Sequence, residues 1–139
     1  MHLIIHTDGG SLNNPGPAAC AYIISRDNGQ VVEKKYIFLG TQTNNFAEYS
    51  GVRSALLAVL ILKEKLKPTS ISFISDSLLM VNQLNGLYKV KNEAIRSFIF
   101  DIRSLEQRLN IPISYKHVLR ELNQDADDLV KECLSGYHS

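Results

Sequence analysis

Little in this sequence is in excess, and what is scarce narrows the reading. Two cysteines in 139 residues make no disulfide framework. Cys20, inside "AACAYII", and Cys133, in a C-terminal amphipathic run, read as core residues of a cytoplasmic protein. No apolar run approaches the length of a membrane span, so no membrane partner is expected. The N-terminus shows no basic region followed by an apolar core, so no export signal is expected either. Neither sign of charge dominates: 15 basic against 14 acidic residues leave +1, which argues against gripping nucleic acid by bulk positive charge. A local basic face stays open, with Lys89, Lys91, Arg96, Lys116 and Arg120 as candidates, although each alone reads more simply as a solvated surface charge. With no repeat, low-complexity tract or linker, residues 1–139 are expected to form one domain, working as a monomer.

The apolar pattern orders the chain. Residues 2–8 read as a strand. "AACAYIISR" (18–26) and "VVEKKYIFLG" (31–40) flank the turn signal Asp27-Asn28-Gly29 and predict a hairpin. Helical spacing of Phe46, Val52, Ala55, Leu56, Val59 and Leu60 predicts a long helix ending before Pro68. A fourth strand covers 70–76, and "SLLMVNQLNG" is a short helix stopped by Gly86. An amphipathic helix covers 92–109, with Ile95, Ile99, Ile102, Leu105 and Leu109 on one face. A fifth strand spans 111–118 and a last helix 123–134. The order βββαβααβα predicts an α/β protein with a mixed sheet, an antiparallel meander and then parallel strands, and helices packed on its faces.

Chemistry in such sheets collects at strand ends. "IIHTDGGSLNNPGP" (4–17) reads as a strand stopping at Asp8, with Gly9 and Gly10 next. Asp-Gly is a strong turn dipeptide, and a turn is one explanation. The other is that Asp8 holds something, while the glycines clear space for a large partner. Asp76 ends the fourth strand in the same way. Glu48, placed in the first turn of the long helix, is a third acid, and the helix macrodipole alone would favour it there. A fourth comes from Asp125, Asp127 or Asp128, and spacing does not choose among them. Carboxylates converging at one sheet edge repel each other unless cations neutralise them. All-oxygen donors suit Mg²⁺ or Mn²⁺; the scattered histidines and two core-like cysteines supply no zinc set. Two hard cations about 3.5–4 Å apart are an arrangement used for in-line phosphoryl displacement.

Taken together, "TDGGSLNNPGP", "TNNFAEY", "SDSLLMVNQLNG" and "HVLRELNQDADDL" resemble ribonuclease H of type I, in that family's order and over nearly the whole chain. The resemblance implies the ribonuclease H fold, with a five-stranded mixed sheet. It selects Asp8, Glu48, Asp76 and Asp127 as the metal-binding, catalytic quartet. It implies an endonuclease that uses two Mg²⁺ ions, with Mn²⁺ the alternative, to cut the RNA strand of RNA·DNA hybrids. The products would carry 5′-phosphate and 3′-hydroxyl ends. Double-stranded RNA is a second candidate substrate.

The same resemblance gives roles to further residues. His117 would assist proton movement or product departure, which suits an imidazole titrating near neutrality. Arg120 would contact phosphate. Thr43 would face a phosphate of the DNA strand, and Asn14, Asn44 and Asn45 the groove edges, beside Gly9 and Gly10. Reading 2′-hydroxyls on one strand is a task short amides suit. Helix entry is the plainer explanation for Thr43, Asn44 and Asn45, and helix capping for Asn123.

Three positions depart from the family pattern. Asn13 stands where glycine is usual and would have to tolerate positive φ. Leu78 removes one base-edge contact, and Leu119 replaces a frequent proline. The stretch between Gly86 and Ile111 holds one helix and no tryptophan, so the basic, tryptophan-bearing substrate handle of some relatives is missing. The alternative to an enzyme is a catalytically silent nucleic-acid-binding module on the same fold, and the presence of all four carboxylates counts against it. A phospho-accepting receiver would need a helix, not a hairpin, after the first strand.

Overall fold

The computed structural model describes residues 1–137. Its strands are β1 (His2–Ser11), β2 (Gly16–Arg26), β3 (Val31–Gln42), β4 (Ser70–Ser75) and β5 (Ile113–His117). Its α-helices are α1 (Asn44–Ile61), α2 (Lys63–Leu66), α3 (Leu78–Leu84), α4 (Glu93–Leu109) and α5 (Gln124–Leu134), the last entered through a 3₁₀ turn, Arg120–Asn123. The sheet runs β3-β2-β1-β4-β5. β1, β2 and β3 pair antiparallel, while β4 pairs with β1 and β5 with β4, both in parallel, giving the mixed sheet that the element order predicts with the strand adjacency that the resemblance implies. The β2–β3 hairpin closes where expected, with Arg26 N donating to Gln30 O at 2.8 Å.

Burial alternates with period two along β4 and most of β1, and is continuous from Ala18 to Ile24 of β2, which lies between two cores. Leu3 and Ile5 of β1, Tyr22 and Ile24 of β2, and Ile71 and Phe73 of β4 share the main core with Tyr49, Leu56 and Val59 of α1. α4 closes that side through Ile95, Phe98, Ile102, Leu105 and Leu109; Phe98 takes the core place expected of Ile99, which packs at the margin. Cutting one of these large aliphatic side chains back to alanine costs about 2–5 kcal/mol. On the other face, Ala19 and Ala21 of β2 meet Val130 and Leu134 of α5. Cys20 is fully buried, whereas Cys133 is only half-buried.

β1 does not stop at Asp8. Asp8 lies opposite Ala21, and the antiparallel ladder continues to Ser11 opposite Ala18. Asp8-Gly9 is therefore no turn. The parallel ladder to β4 does end there, its last pair being His6 with Ile74. One side of β1 thus loses its neighbour just as Asp8 is reached, and that opening is where the acids gather.

Gly9 has a different reason from the expected one. A Cβ on Gly9 would sit 2.3 Å from the carbonyl carbon of Ala47 and 2.5 Å from Glu48 N. The space at Gly9 is thus filled by the backbone of α1, not kept for a partner. Gly51, one helical turn on, brings α1 down a second time: its Cβ would lie 3.2 Å from Asp8 O. A Cβ on Gly10 meets only Asn44 Oδ1, at 3.8 Å. Asn13 has no positive φ to tolerate, because among the described residues only Lys67 and Asn110 combine a side chain with positive φ.

Gly9→Ala should therefore destabilise the fold by about 1–3 kcal/mol, as overpacking does. Gly10→Ala should change stability by less than about 0.5 kcal/mol. Urea denaturation of the two variants checks this, and a Gly9→Ala protein as stable as the parent would mean that α1 does not press on β1.

Candidate active site

Four elements deliver four carboxylates to the opening beside β1. Asp8 comes from β1 itself. Asp76 follows the last residue of β4, and the neighbouring strand β5 ends on His117, paired with Ser75. Glu48 comes from α1, although not from its first turn. The helix starts at Asn44 and carries no acid there, so Glu48 falls on the second turn and the macrodipole does not explain it. What explains it is the Gly9 contact, which brings the Glu48 backbone against β1. Ligand oxygens of Asp8, Glu48 and Asp76 all lie within 4.8 Å of one another. Of the three candidates for a fourth acid, Asp127, on α5, is buried, whereas Asp125 and Asp128 are exposed.

Burial and mutual repulsion disfavour charge on three of the four. Burial, then the charges of Asp76 and Asp127, push Asp8 up to about 8. Glu48 is raised well above the usual carboxylate range by burial, then by Asp8 and Asp76. Burial also raises Asp76, against the opposing pull of Arg120. Asp127 behaves differently. Burial would raise it, but hydrogen bonds and charge from Lys131 and Arg120 hold it below the ordinary value. Lys131 Nζ lies 3.0 Å from its Oδ2 and Arg120 Nη2 3.3 Å from its Oδ1.

The chemistry of this donor set fits a hard cation. Its trio is all-oxygen, and Glu48 Oε1 is buried without a hydrogen-bond partner. An orphaned buried acceptor among like charges is costly unless a cation satisfies it. The trio opens into a groove of about 730 Å³, whose wall includes Gly9, Gly10, Asn44, Arg120 and Asp127.

The other predicted residues fall in two places. His117 is half-buried beside Asp76, where a positive imidazole favours the ionised carboxylate. Asn14, Thr43, Asn44 and Asn45 line a second groove, of about 550 Å³, together with Lys91. Thr43 caps α1, its hydroxyl oxygen accepting from Phe46 N at 3.1 Å. Asn44 Oδ1 accepts from Ser11 N at 2.8 Å, and Asn44 N donates to Asn14 Oδ1 at 2.9 Å. These bonds lock the loop after β1 onto the start of α1. Asn123 stands at the head of α5 but makes no capping bond with its side chain. Its Nδ2 instead donates to Thr7 O at 2.8 Å, tying α5 to the strand residue before Asp8.

Lys131 was not among the residues singled out from sequence, and neither was the anchoring bond of Asn123. For Lys131 a signal existed: it lies four residues after Asp127, the spacing at which a helix pairs opposite charges. The Asn123 bond joins residues 116 apart and had no local signal.

A family model described as "Reverse transcriptase-like" matches residues 6–133. The chain is 33% identical over 137 residues to the "Bifunctional protein Rv2228c" of Mycobacterium tuberculosis, covering 98% of this chain and 36% of that one. It thus spans about a third of that relative's length. It is 30% identical over 151 residues to the "Ribonuclease H" of Tropheryma whipplei, covering 97% of this chain and 86% of the relative. An RNase H1 isolated from compost superposes with a TM-score of 0.90 at 33% identity, covering 97% of this chain and 96% of the other. The same protein in complex with an RNA/DNA hybrid superposes at 0.88, again at 33% identity, covering 94% of each chain. No described helix is long and apolar enough to cross a membrane.

The raised acids make a pH prediction for the cation-free protein. Asp8 titrates near 8 when folded and near 3.8 in its ordinary state. Between those values the folded chain holds a proton that the unfolded chain has lost, so stability falls as pH rises. In EDTA, urea denaturation should show lower stability at pH 8 than at pH 6, by about 1 kcal/mol or more. Mg²⁺ should remove most of the difference. Equal stability at both pH values in EDTA would show that the acids are not crowded as described.

Proposed function

The chain belongs to the ribonuclease H family, as a compact type I member, and we propose that it is an endoribonuclease hydrolysing the RNA strand of RNA·DNA hybrids. The observation that carries this reading is the trio Asp8, Glu48 and Asp76, three acids within 4.8 Å with one buried oxygen left unpartnered. A module that only bound nucleic acid would gain nothing from acids that repel phosphate. Likeness to an RNase H1 captured with an RNA/DNA hybrid supports the substrate class.

In this reading Asp8, Glu48, Asp76 and Asp127 hold two divalent cations, Mg²⁺ or Mn²⁺. When bound, the cations neutralise the acids and supply Lewis-acid stabilisation of the phosphoryl oxygens. His117 moves a proton through a ring nitrogen, toward or away from the reacting phosphate, beside Asp76. Attack by water on phosphorus breaks the bond to the 3′ oxygen, leaving 3′-hydroxyl and 5′-phosphate ends. No protein nucleophile is required.

Recognition falls to the residues around the two grooves. Thr43 uses its hydroxyl oxygen as an acceptor in capping α1, so its proton remains to donate to a DNA-strand phosphate. Asn44 and Asn14 spend their carbonyl oxygens within the protein, and their amide N–H groups can donate to ribose hydroxyls and base edges. Asn45 borders the same groove, with Lys91 as a second phosphate contact. Gly10 leaves the floor of the first groove flat for the RNA strand, and Arg120 meets phosphate at its edge. Residues 1–139 act as one domain and as a monomer in this account.

Labelled RNA·DNA hybrid, double-stranded RNA and double-stranded DNA, each with Mg²⁺ or EDTA, test the proposal. Hybrid should be cut only with the cation. His117→Ala should reduce cleavage about 100-fold, the low end for a positioned proton-transfer group, and Asp76→Asn should reduce it more. His117→Ala should leave Mn²⁺ uptake intact. Absence of cation-dependent hybrid cleavage would refute the proposal, and a more severely damaged His117→Ala would reverse the division of roles.

A further inference from the structure

Asp127 differs from the other three acids in already having cations. Both of its oxygens are engaged, Oδ1 by Arg120 Nη2 at 3.3 Å and Oδ2 by Lys131 Nζ at 3.0 Å, with the neutral amide Gln124 Nε2 donating more distantly to Oδ2 at 3.4 Å. None of the ion pairs among the described residues involves Asp8, Glu48 or Asp76. Nor does Asp127 join the trio whose ligand atoms lie within 4.8 Å of one another. The site is therefore asymmetric before any ion enters. One half consists of acids with no ion-pair contact, and the other of an acid whose paired cations are built into the chain.

We infer that Lys131 is a tethered cation that occupies the Asp127 half of the site and has to be displaced from Oδ2 before a second divalent ion can use that carboxylate. The inference rests on the two-ion reading above. Lys131 is suited to the task because its side chain is 63% exposed while that of Asp127 is 6% exposed. A flexible ammonium on a four-carbon stem can swing into the groove, whose wall it forms, and leave the buried acid behind. Arg120 holds the other oxygen and is more exposed still, at 71%. The site would then fill in order, first at Asp8, Glu48 and Asp76 and then at Asp127. Until the second ion arrives, Lys131 keeps Asp127 from adding its full charge to the cluster.

The test is Mn²⁺ binding to the whole chain without nucleic acid, followed by loss of the free-ion electron paramagnetic resonance signal. The parent should take up one ion tightly and a second weakly. Lys131→Met should tighten the second ion by about fivefold, the scale of a partly exposed ion pair, and leave the first within about twofold. Lys131→Arg, which keeps the charge and the reach, should bind both ions like the parent. Equal tightening of both constants would reveal a general charge effect, and no change in either would make Lys131 an ordinary helix-surface pair; each result overturns the inference. If the parent takes up no Mn²⁺, the two-ion reading itself falls, and the inference with it.

Discussion

The structure depends on holding like charges together. Once ionised, Asp8, Glu48 and Asp76 would separate if their backbones were free, because unit charges a few ångströms apart in a partly dry site repel by several kcal/mol. Two backbone contacts prevent it. Parallel pairing of β1 with β4 fixes Asp8 and Asp76 at one end of the sheet. The close approach of α1 at Gly9 and Gly51 fixes Glu48 over the same point. Behind these contacts lies a core of fully buried side chains, including Leu3, Ile5, Tyr49, Leu56 and Phe73, whose burial outweighs the local repulsion.

The same frame explains why the site has two characters. On the α1 side, burial and then mutual repulsion favour the protonated forms of Asp8 and Glu48. On the α5 side, Asp127 answers it by pairing with Arg120 and Lys131 and stays ionised. Asn123 joins the two halves, its side chain anchoring the head of α5 to Thr7.

Much of this was legible in the sequence. The order of elements, the mixed sheet and the hairpin turn followed from apolar period, whereas the adjacency of β1 and β4 that brings Asp8 to Asp76 came only with the resemblance to ribonuclease H. Other features were not, for physical reasons. The glycines after Asp8 could signal a turn, a partner or a close helix, and only the third dimension shows that Ala47 and Glu48 fill the space at Gly9. The choice of Asp127 over its neighbours rested on likeness to relatives, because Asp125, Asp127 and Asp128 are chemically the same and differ only in burial. Asn123 looked like a helix cap because caps are local, whereas its actual bond crosses most of the chain.

The central claim is that Asp8 is held in the cluster at a cost to folding, which a bound cation removes. Thermal unfolding of Asp8→Asn beside the parent, in EDTA and in Mg²⁺, tests it most directly. Asparagine nearly matches the size of aspartate and needs neither a buried charge nor a proton taken up on folding, so the variant should be more stable than the parent in EDTA by about 1 kcal/mol. Mg²⁺ should raise the melting temperature of the parent well above its value in EDTA and move the variant much less. A variant that melts below the parent in EDTA and responds equally to Mg²⁺ would contradict the claim and leave Asp8 an ordinary strand residue.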